Sequence, residues 1–287
     1  MKILFSADEH LCLRRKGIPK EWEINRFKLY HKKIVNLINT RDIDVFIHGG
    51  DFFDREPNME EIVLAMDEHF NKIPYSVGTL VIDGNHEAKR KGTSFLHTLG
   101  KLCKSNKVHF FDGLCTASEY GIDFLPYKDL KRFEAGEVVF EKKNRILVTH
   151  VRGEIPPHVK PEVDLNIFKD WDLVLAGDLH DRSNSQGNIM YPGSPMTTHA
   201  YRDSSVKKGV LIVDTETLEV EFVDLDLPKI LRKTVTSSSQ AVQNGIDHID
   251  YEIVMPELLH EITLEEIPSV MVVSDKSRVD MLAEVLA

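Results

Sequence analysis

The chain has 287 residues, 42% of them hydrophobic and 29% charged, enough for a full core built as one large domain and one small one. No apolar run approaches a membrane span, and residues 1–8 are too short in apolar core for a signal peptide, so a cytoplasmic protein with no membrane association is expected. The formal charge of −10 argues against simple DNA coating, and three cysteines (Cys12, Cys103, Cys115) without CxxC spacing argue for buried thiols in a reducing compartment.

In chain order, residues 2–6 read as a strand followed by the loop Ala7-Asp8-Glu9-His10. Residues 23–39 carry apolar side chains at Ile24, Phe27, Tyr30, Ile34, Val35 and Ile38, a helical period. Residues 44–47 form a second strand, stopped by Gly49-Gly50-Asp51. A helix over 59–70 follows, then a strand over 79–82 ending Asp83-Gly84-Asn85-His86-Glu87, then a helix over 94–103. This alternation predicts a mainly parallel sheet. Strands then become denser: 108–111, 122–125, 145–149, 172–175 and 189–191. A hairpin follows, 209–214 with 220–225. The expected fold class is α/β, two sheets packed face to face and flanked by helices, with a small C-terminal α/β domain. The boundary is placed after residue 227, giving domains 1–227 and 228–287. The second would contain strands at 231–235, 251–255 and 270–273 and a helix over 277–286.

Charge is uneven. Residues 11–33 hold eight Lys/Arg against Glu21 and Glu23, a net +6, and residues 228–287 hold five basic and ten acidic residues, a net −5. A basic stretch beside a site can contact phosphates, and a solvated helix face is the equal alternative.

Five strand ends carry potential ligands: Asp8-x-His10, Gly50-Asp51, Gly84-Asn85-His86-Glu87, His150 and Gly177-Asp178-Leu179-His180. Each alone is a common turn. Together they place oxygen and imidazole donors at the carboxyl ends of strands, where α/β sheets hold ligands, and divalent ions such as Mn²⁺ accept such mixed shells.

This order resembles the calcineurin-like metallophosphoesterase family, D-x-H, G-D, G-N-H-[DE], H, G-H-x-H, over residues 1–227. The resemblance implies two divalent ions per chain, Mn²⁺ first and Mg²⁺ as the alternative. One would be held by Asp8, His10, Asp51 and His180, the other by Asp51, Asn85, His150 and Asp178, with Asp51 shared. His86 would be catalytic rather than a ligand, steadying the transition state or protonating the leaving oxygen. The chain departs from the pattern at Asp178, where the family has an imidazole. A coordinating Asp178 gives a third carboxylate and favours hard ions; a non-coordinating one weakens the second site.

The flanks Phe52-Phe53-Asp54-Arg55-Glu56-Pro57, Gly92-Thr93-Ser94, Tyr191-Pro192-Gly193-Ser194-Pro195 and Lys207-Lys208-Gly209-Val210 look like the SbcD/Mre11 nuclease branch, with residues 228–287 as its capping domain. That resemblance implies a DNA exonuclease/endonuclease in end processing, recombination or repair, an SbcC/Rad50-like SMC-type ATPase partner, and a homodimer; the short chain and Asp178 suggest a phage-type member. A small-molecule phosphodiesterase or phosphatase of the same fold is the enzyme alternative, and a non-catalytic scaffold with a weakened second site the third reading. Substrate contacts are assigned to Lys89, Arg90, Arg15 and His199. His48 is read as packing or hydrogen-bonding behind the site, Trp22 as a hydrophobic anchor for the following helix in preference to a residue that stacks on a base, and Asp54 as either hydrogen-bonded near the site or part of a surface turn. His31, His69, His97, His109, His158, His248 and His260 are read as surface or core histidines.

Overall fold

A computed structural model describes residues 1–88, 94–103, 108–141 and 143–254. In chain order the elements are β1 (Lys2–Ser6), α1 (Lys20–Thr40), β2 (Val45–His48), α2 (Met59–Ala65), β3 (Gly78–Ile82), α3 (Phe95–Leu102), β4 (Val108–Phe111), β5 (Cys115–Ala117), β6 (Ile122–Leu125), α4 (Leu130–Glu134), β7 (Ile146–His150), β8 (Leu173–Gly177), β9 (Ile189–Met190), β10 (Gly209–Asp214), β11 (Val220–Asp224), β12 (Ile230–Val235) and β13 (His248–Ile253).

Two sheets form the body. The first has the order β11-β10-β1-β2-β3-β4, with β1 to β4 parallel and the β10–β11 hairpin antiparallel. The second has the order β5-β6-β7-β8-β9, parallel from β6 onward. The central strands of both bury two faces, which is why they read as nearly continuous apolar runs. Alternate residues divide between layers. Ile3, Phe5, Val45 and Ile47 face Phe124, Val148 and Leu175 between the sheets. Leu4 and Phe46 face Phe27, Tyr30 and Ile34 of α1 on the outside. Leu147 and Val174 cover the opposite outer face with Phe168 and Trp171.

The expected helix over 59–70 is two pieces. After α2, residues Met66–Phe70 form a π-helical turn, with Asn71 N–H donating to the Met66 carbonyl at 3.0 Å. Met66, His69 and Phe70 are buried along this turn, on the side that faces the aromatic core. Beyond residue 227, β12 and β13 form a two-stranded parallel sheet. The strand expected at 270–273 and the helix expected at 277–286 lie outside the described residues. Among the described residues no helix is long and apolar enough to cross a membrane.

Candidate metal centre

The carboxyl ends of β1, β2, β3, β7 and β8 meet along one rim where the two sheets face each other. Each strand delivers one group of donors. Asp8 and His10 follow β1, Asp51 follows β2, Asn85 and His86 follow β3, His150 ends β7, and Asp178 and His180 follow β8. Four of these residues, Asp8 (φ 62), His10 (φ 49), Asp51 (φ 56) and Asp178 (φ 97), have left-handed backbones. That conformation is uncommon for non-glycine residues and concentrates at functional sites.

Asp51 is at the centre. Its Oδ2 lies 3.6 Å from His10 Nε2, 3.7 Å from His150 Nε2 and 3.8 Å from His86 Nε2. Its Oδ1 accepts the His86 backbone N–H at 2.8 Å. On one side, the Nε2 atoms of His10 and His180 approach to 2.9 Å, with Asp8 Oδ1 4.0 Å from His10 Nε2. On the other, Asp178 Oδ1 lies 3.8 Å from His150 Nε2 and accepts from Asn85 Nδ2 at 3.3 Å. Asp8–His10–His180, Asp8–Asp51–His150 and His10–Asp54–His86 each bring ligand atoms close enough to share an ion.

Imidazole orientation follows from the opposite ring nitrogen. His150 Nδ1–H donates to the Gly49 carbonyl at 2.8 Å, which leaves the Nε2 lone pair facing the cleft. His180 Nδ1 lies 3.2 Å from Thr198 Oγ1. His86 Nδ1–H donates to the Asp54 carbonyl, turning Nε2 inward. Three buried polar atoms here, His150 Nε2, Asn85 Oδ1 and His10 Nδ1, have no hydrogen-bond partner. Buried polar atoms are normally satisfied. A buried amide oxygen and an imidazole nitrogen, both without a hydrogen-bond partner, the latter 3.7 to 3.8 Å from the Asp51 and Asp178 carboxylates, are donors that suit a divalent cation, so the residues fit such an ion.

Electrostatics agree with that fit. Burial, followed by Asp51 and Asp178, holds the Asp8 carboxyl well above the usual range. Burial also raises Asp178, against the opposing pull of His150 and Arg152. Burial and then the neighbouring His180 and His86 push His10 well below its ordinary value, and burial with Lys208 lowers His180 to about 4. His10 and His180 are therefore neutral with lone pairs available, beside a buried Asp8 carboxyl that is raised in part by the neighbouring carboxylates.

The turns leave no room for side chains at two points. A Cβ on Gly84 would lie 2.2 Å from Asp51 Oδ1 and 2.5 Å from Asp51 N, and one on Gly177 would lie 2.6 Å from both the Gly49 carbonyl oxygen and His150 Nδ1. Glu87 ties the Gly84 and Asp51 turns together by accepting N–H groups from Asp51 and Gly84 at 2.9 Å and from Phe53 at 3.2 Å. Burial, then Asp51 and Asp83, raise its carboxyl to about 7.

The seven expected ligands and His86 thus converge. Of the expected substrate contacts, Lys89 and Arg90 lie outside the described residues. Arg15 is engaged within the protein, donating to the Thr198 carbonyl at 2.5 Å, the His10 carbonyl at 3.0 Å and Glu23 Oε1 at 3.2 Å. His199 is exposed and stacks on Tyr201 with ring centroids 4.5 Å apart. Trp22 does more than anchor α1: its Nε1–H donates to the Ile246 carbonyl at 2.9 Å. Sequence reasoning assigned no role to Glu9 or to Lys208, whose Nζ donates to the His180 carbonyl at 2.7 Å. The sequence signal for Lys208 was its place in the flank Lys207-Lys208-Gly209-Val210.

Comparison with known proteins agrees with this geometry. The sequence profile of the calcineurin-like phosphoesterase family matches residues 1–182. The chain is 36% identical over 263 residues to the "Probable exonuclease subunit 1" of Escherichia phage T5, covering 88% of this chain and 78% of that protein. It is 27% identical over 241 residues to the DNA double-strand break repair protein Mre11 of Methanosarcina mazei, covering 77% of this chain and 37% of that one. It is 22% identical over 287 residues to a subunit of the SbcCD nuclease of Staphylococcus saprophyticus, covering 86% and 75%. The chain belongs to the calcineurin-like phosphoesterase family, whose members use divalent metals, and is a hydrolase acting on phosphodiester bonds.

Proposed function

We propose that the chain is a two-metal DNA nuclease, the phosphodiesterase component of an SbcD/Mre11-type complex that processes DNA ends in recombination or repair. The observation that carries the two-metal reading is Asp51, whose single Oδ2 stands 3.6 to 3.7 Å from His10 on one side and His150 on the other. One ion would be held by Asp8, His10, Asp51 and His180, the other by Asp51, Asn85, His150 and Asp178, with Mn²⁺ preferred and Mg²⁺ accepted. The Asp178 carboxylate, 3.8 Å from His150 Nε2, supports its place in the second set despite the departure from the family's histidine. Ions of this kind neutralise phosphate charge and activate water. His86, oriented by the Asp54 carbonyl, presents Nε2 to the cleft and would give a proton to the leaving oxygen or a hydrogen bond to the phosphoryl group.

The DNA substrate is supported by the T5 exonuclease protein, whose match extends over most of both chains. That protein and the staphylococcal one are both named as subunits, which supports an assembly, for which an SMC-type ATPase is the partner we assign. Residues 1–227 would form the nuclease domain and 228–287 the capping domain. The test offers purified protein labelled single- and double-stranded DNA and a chromogenic small phosphodiester, with Mn²⁺, Mg²⁺ or EDTA. DNA cleavage with Mn²⁺ that EDTA abolishes is expected. Cleavage of the small ester alone would overturn the nuclease reading.

A further inference from the structure

Glu9 sits between Asp8 and His10 but turns away from the cleft into the core, where it is 1% exposed. There it accepts from Ser6 Oγ at 2.5 Å, from the Tyr30 hydroxyl of α1 and from His48 Nε2 of β2. His48 is fully buried and has a second contact: its Nδ1 accepts the Gly50 N–H at 3.2 Å. An imidazole that donates from Nε2 and accepts at Nδ1 is a single neutral tautomer. A continuous chain, Gly50 N–H to His48 to Glu9, therefore joins the Asp8–His10 loop to the Gly50–Asp51 turn. Neither Glu9 nor His48 has a role in the chemistry described above.

The two turns joined in this way are the strained ones. Asp8 and His10 have left-handed backbones on either side of Glu9, and Asp51 has another just after Gly50 (φ 97). Such conformations persist only where the surroundings fix them. Main-chain bonds help: Asp8 N–H donates to the Gly50 carbonyl and His10 N–H to the Asp51 carbonyl, both at 3.0 Å. These bonds set the loop's height on the turn. The Glu9–His48 pair fixes it from behind, so the two together determine how Asp8 and His10 face Asp51.

We propose that Glu9 and His48 are positioning residues that set the spacing between the Asp8–His10 loop and Asp51, and through it the affinity of the centre for divalent ions. The inference rests on the metal-centre reading above. Outer partners that orient ligands are worth 10- to 100-fold in metal affinity. Glu9→Gln and His48→Phe are therefore expected to raise the apparent Mn²⁺ dissociation constant by about 10-fold or more. Two ions should still bind at saturation, and excess Mn²⁺ should restore most of the cleavage without a change in KM for DNA.

Mn²⁺ uptake is read by the spin-resonance signal of free Mn²⁺, which needs no turnover. Asp123→Asn is the control for general loss of stability, because Asp123 is a fully buried carboxylate on β6 bonded to Thr116, Asn144 and Trp171. It should lower the melting temperature and leave Mn²⁺ affinity at the wild-type value. Should the Glu9 variant not fold, Tyr30→Phe removes one donor only, and a rise of about fivefold is expected. Wild-type Mn²⁺ affinity in the folded Glu9, His48 and Tyr30 variants would overturn the proposal, as would an equal loss in Asp123→Asn. A wild-type protein that takes up no Mn²⁺ would overturn the metal-centre reading instead.

Discussion

Removing the ions should change the protein's stability in a pH-dependent way whose sign follows from the site. In the metal-free protein Glu87 is held at about 7 against an ordinary value of 4.5. Between those values the folded chain keeps a proton that the unfolded chain has lost. This contribution falls as pH rises and is fully lost above about 7. His180 is held at about 4 against 6.5, so across that window the unfolded chain binds the extra proton and stability rises with pH. Each shift corresponds to about 3 kcal/mol. The two oppose one another between pH 4.5 and 6.5, while His10, His31 and His69, all lowered first by burial, act in the same direction as His180. Above 6.5 the histidine gain ends while the Glu87 loss continues to about 7. Bound cations remove the repulsion but must displace the protons. Ions at 100 times their dissociation constant add about 2.7 kcal/mol, or roughly 5–10 °C in melting temperature. That full shift is expected near pH 8, and less than half of it near pH 5.5, where protons compete. Thermal melts with Mn²⁺ against EDTA at the two pH values read it directly. An equal shift at both would refute the assignment of the carboxylates as ligands.

His86→Ala should leave two Mn²⁺ bound and lower cleavage at least about 100-fold, the usual value of a positioned acid; loss of an ion, measured by elemental analysis, would contradict its role. Asp178→Ala should release one of the two ions, and unchanged stoichiometry would remove Asp178 from the second set. Gly84→Ala places a Cβ 2.5 Å from the Asp51 backbone nitrogen, which cannot swing aside as a side chain can. Overpacking of this kind costs about 1–3 kcal/mol, so a melting temperature lowered by several degrees and weaker Mn²⁺ binding are expected. Wild-type values of both would show that the turn yields freely.

The groups that face the cleft were legible because each follows an apolar strand directly in sequence. Asp51 after Val45–His48 and Asp178 after Leu173–Gly177 can be placed by local reading alone. What holds them was not legible, because the partners are distant in the chain. Glu9 is bonded to Tyr30 and His48, and Lys208 to the carbonyl of His180. Arg15 illustrates the same limit in charge. Its sequence neighbourhood is basic, which suggests phosphate, yet its acceptors are the carbonyls of His10 and Thr198 and the carboxylate of Glu23. The π-turn at Met66–Phe70 escaped for another reason. Its apolar spacing is close to that of a regular helix, and the difference lies in a backbone bond, Asn71 N–H to the Met66 carbonyl, which the side-chain pattern does not encode.

The boundary proposed after residue 227 makes Trp22 the side chain to perturb. Trp22 lies near the start of α1, within the proposed nuclease domain, and its Nε1–H donates to the carbonyl of Ile246 between β12 and β13. Its ring lies 5.8 Å from that of His248, and the Arg26 guanidinium covers it at 4.7 Å. A second tie runs through residues 197–201. Thr197 Oγ1 accepts the Ile230 N–H at 2.7 Å, and Tyr201 exchanges backbone bonds with Ile230 and Arg232. Thr198, between them, contacts His180. Trp22→Ala deletes one hydrogen bond and one cation–π contact, each worth about 1 kcal/mol, and leaves the second tie intact. Residues 236–247 should then be cut faster by a nonspecific protease, by about tenfold for a local opening eased by roughly 1.4 kcal/mol, while the melting temperature of the rest changes little. Mn²⁺ affinity should hold, because Thr198 keeps its place. Unchanged proteolysis would mean that the Tyr201 bonds alone secure the C-terminal strands. A loss of Mn²⁺ affinity would mean that α1, through Arg26 and Thr197, carries the position of Trp22 as far as His180.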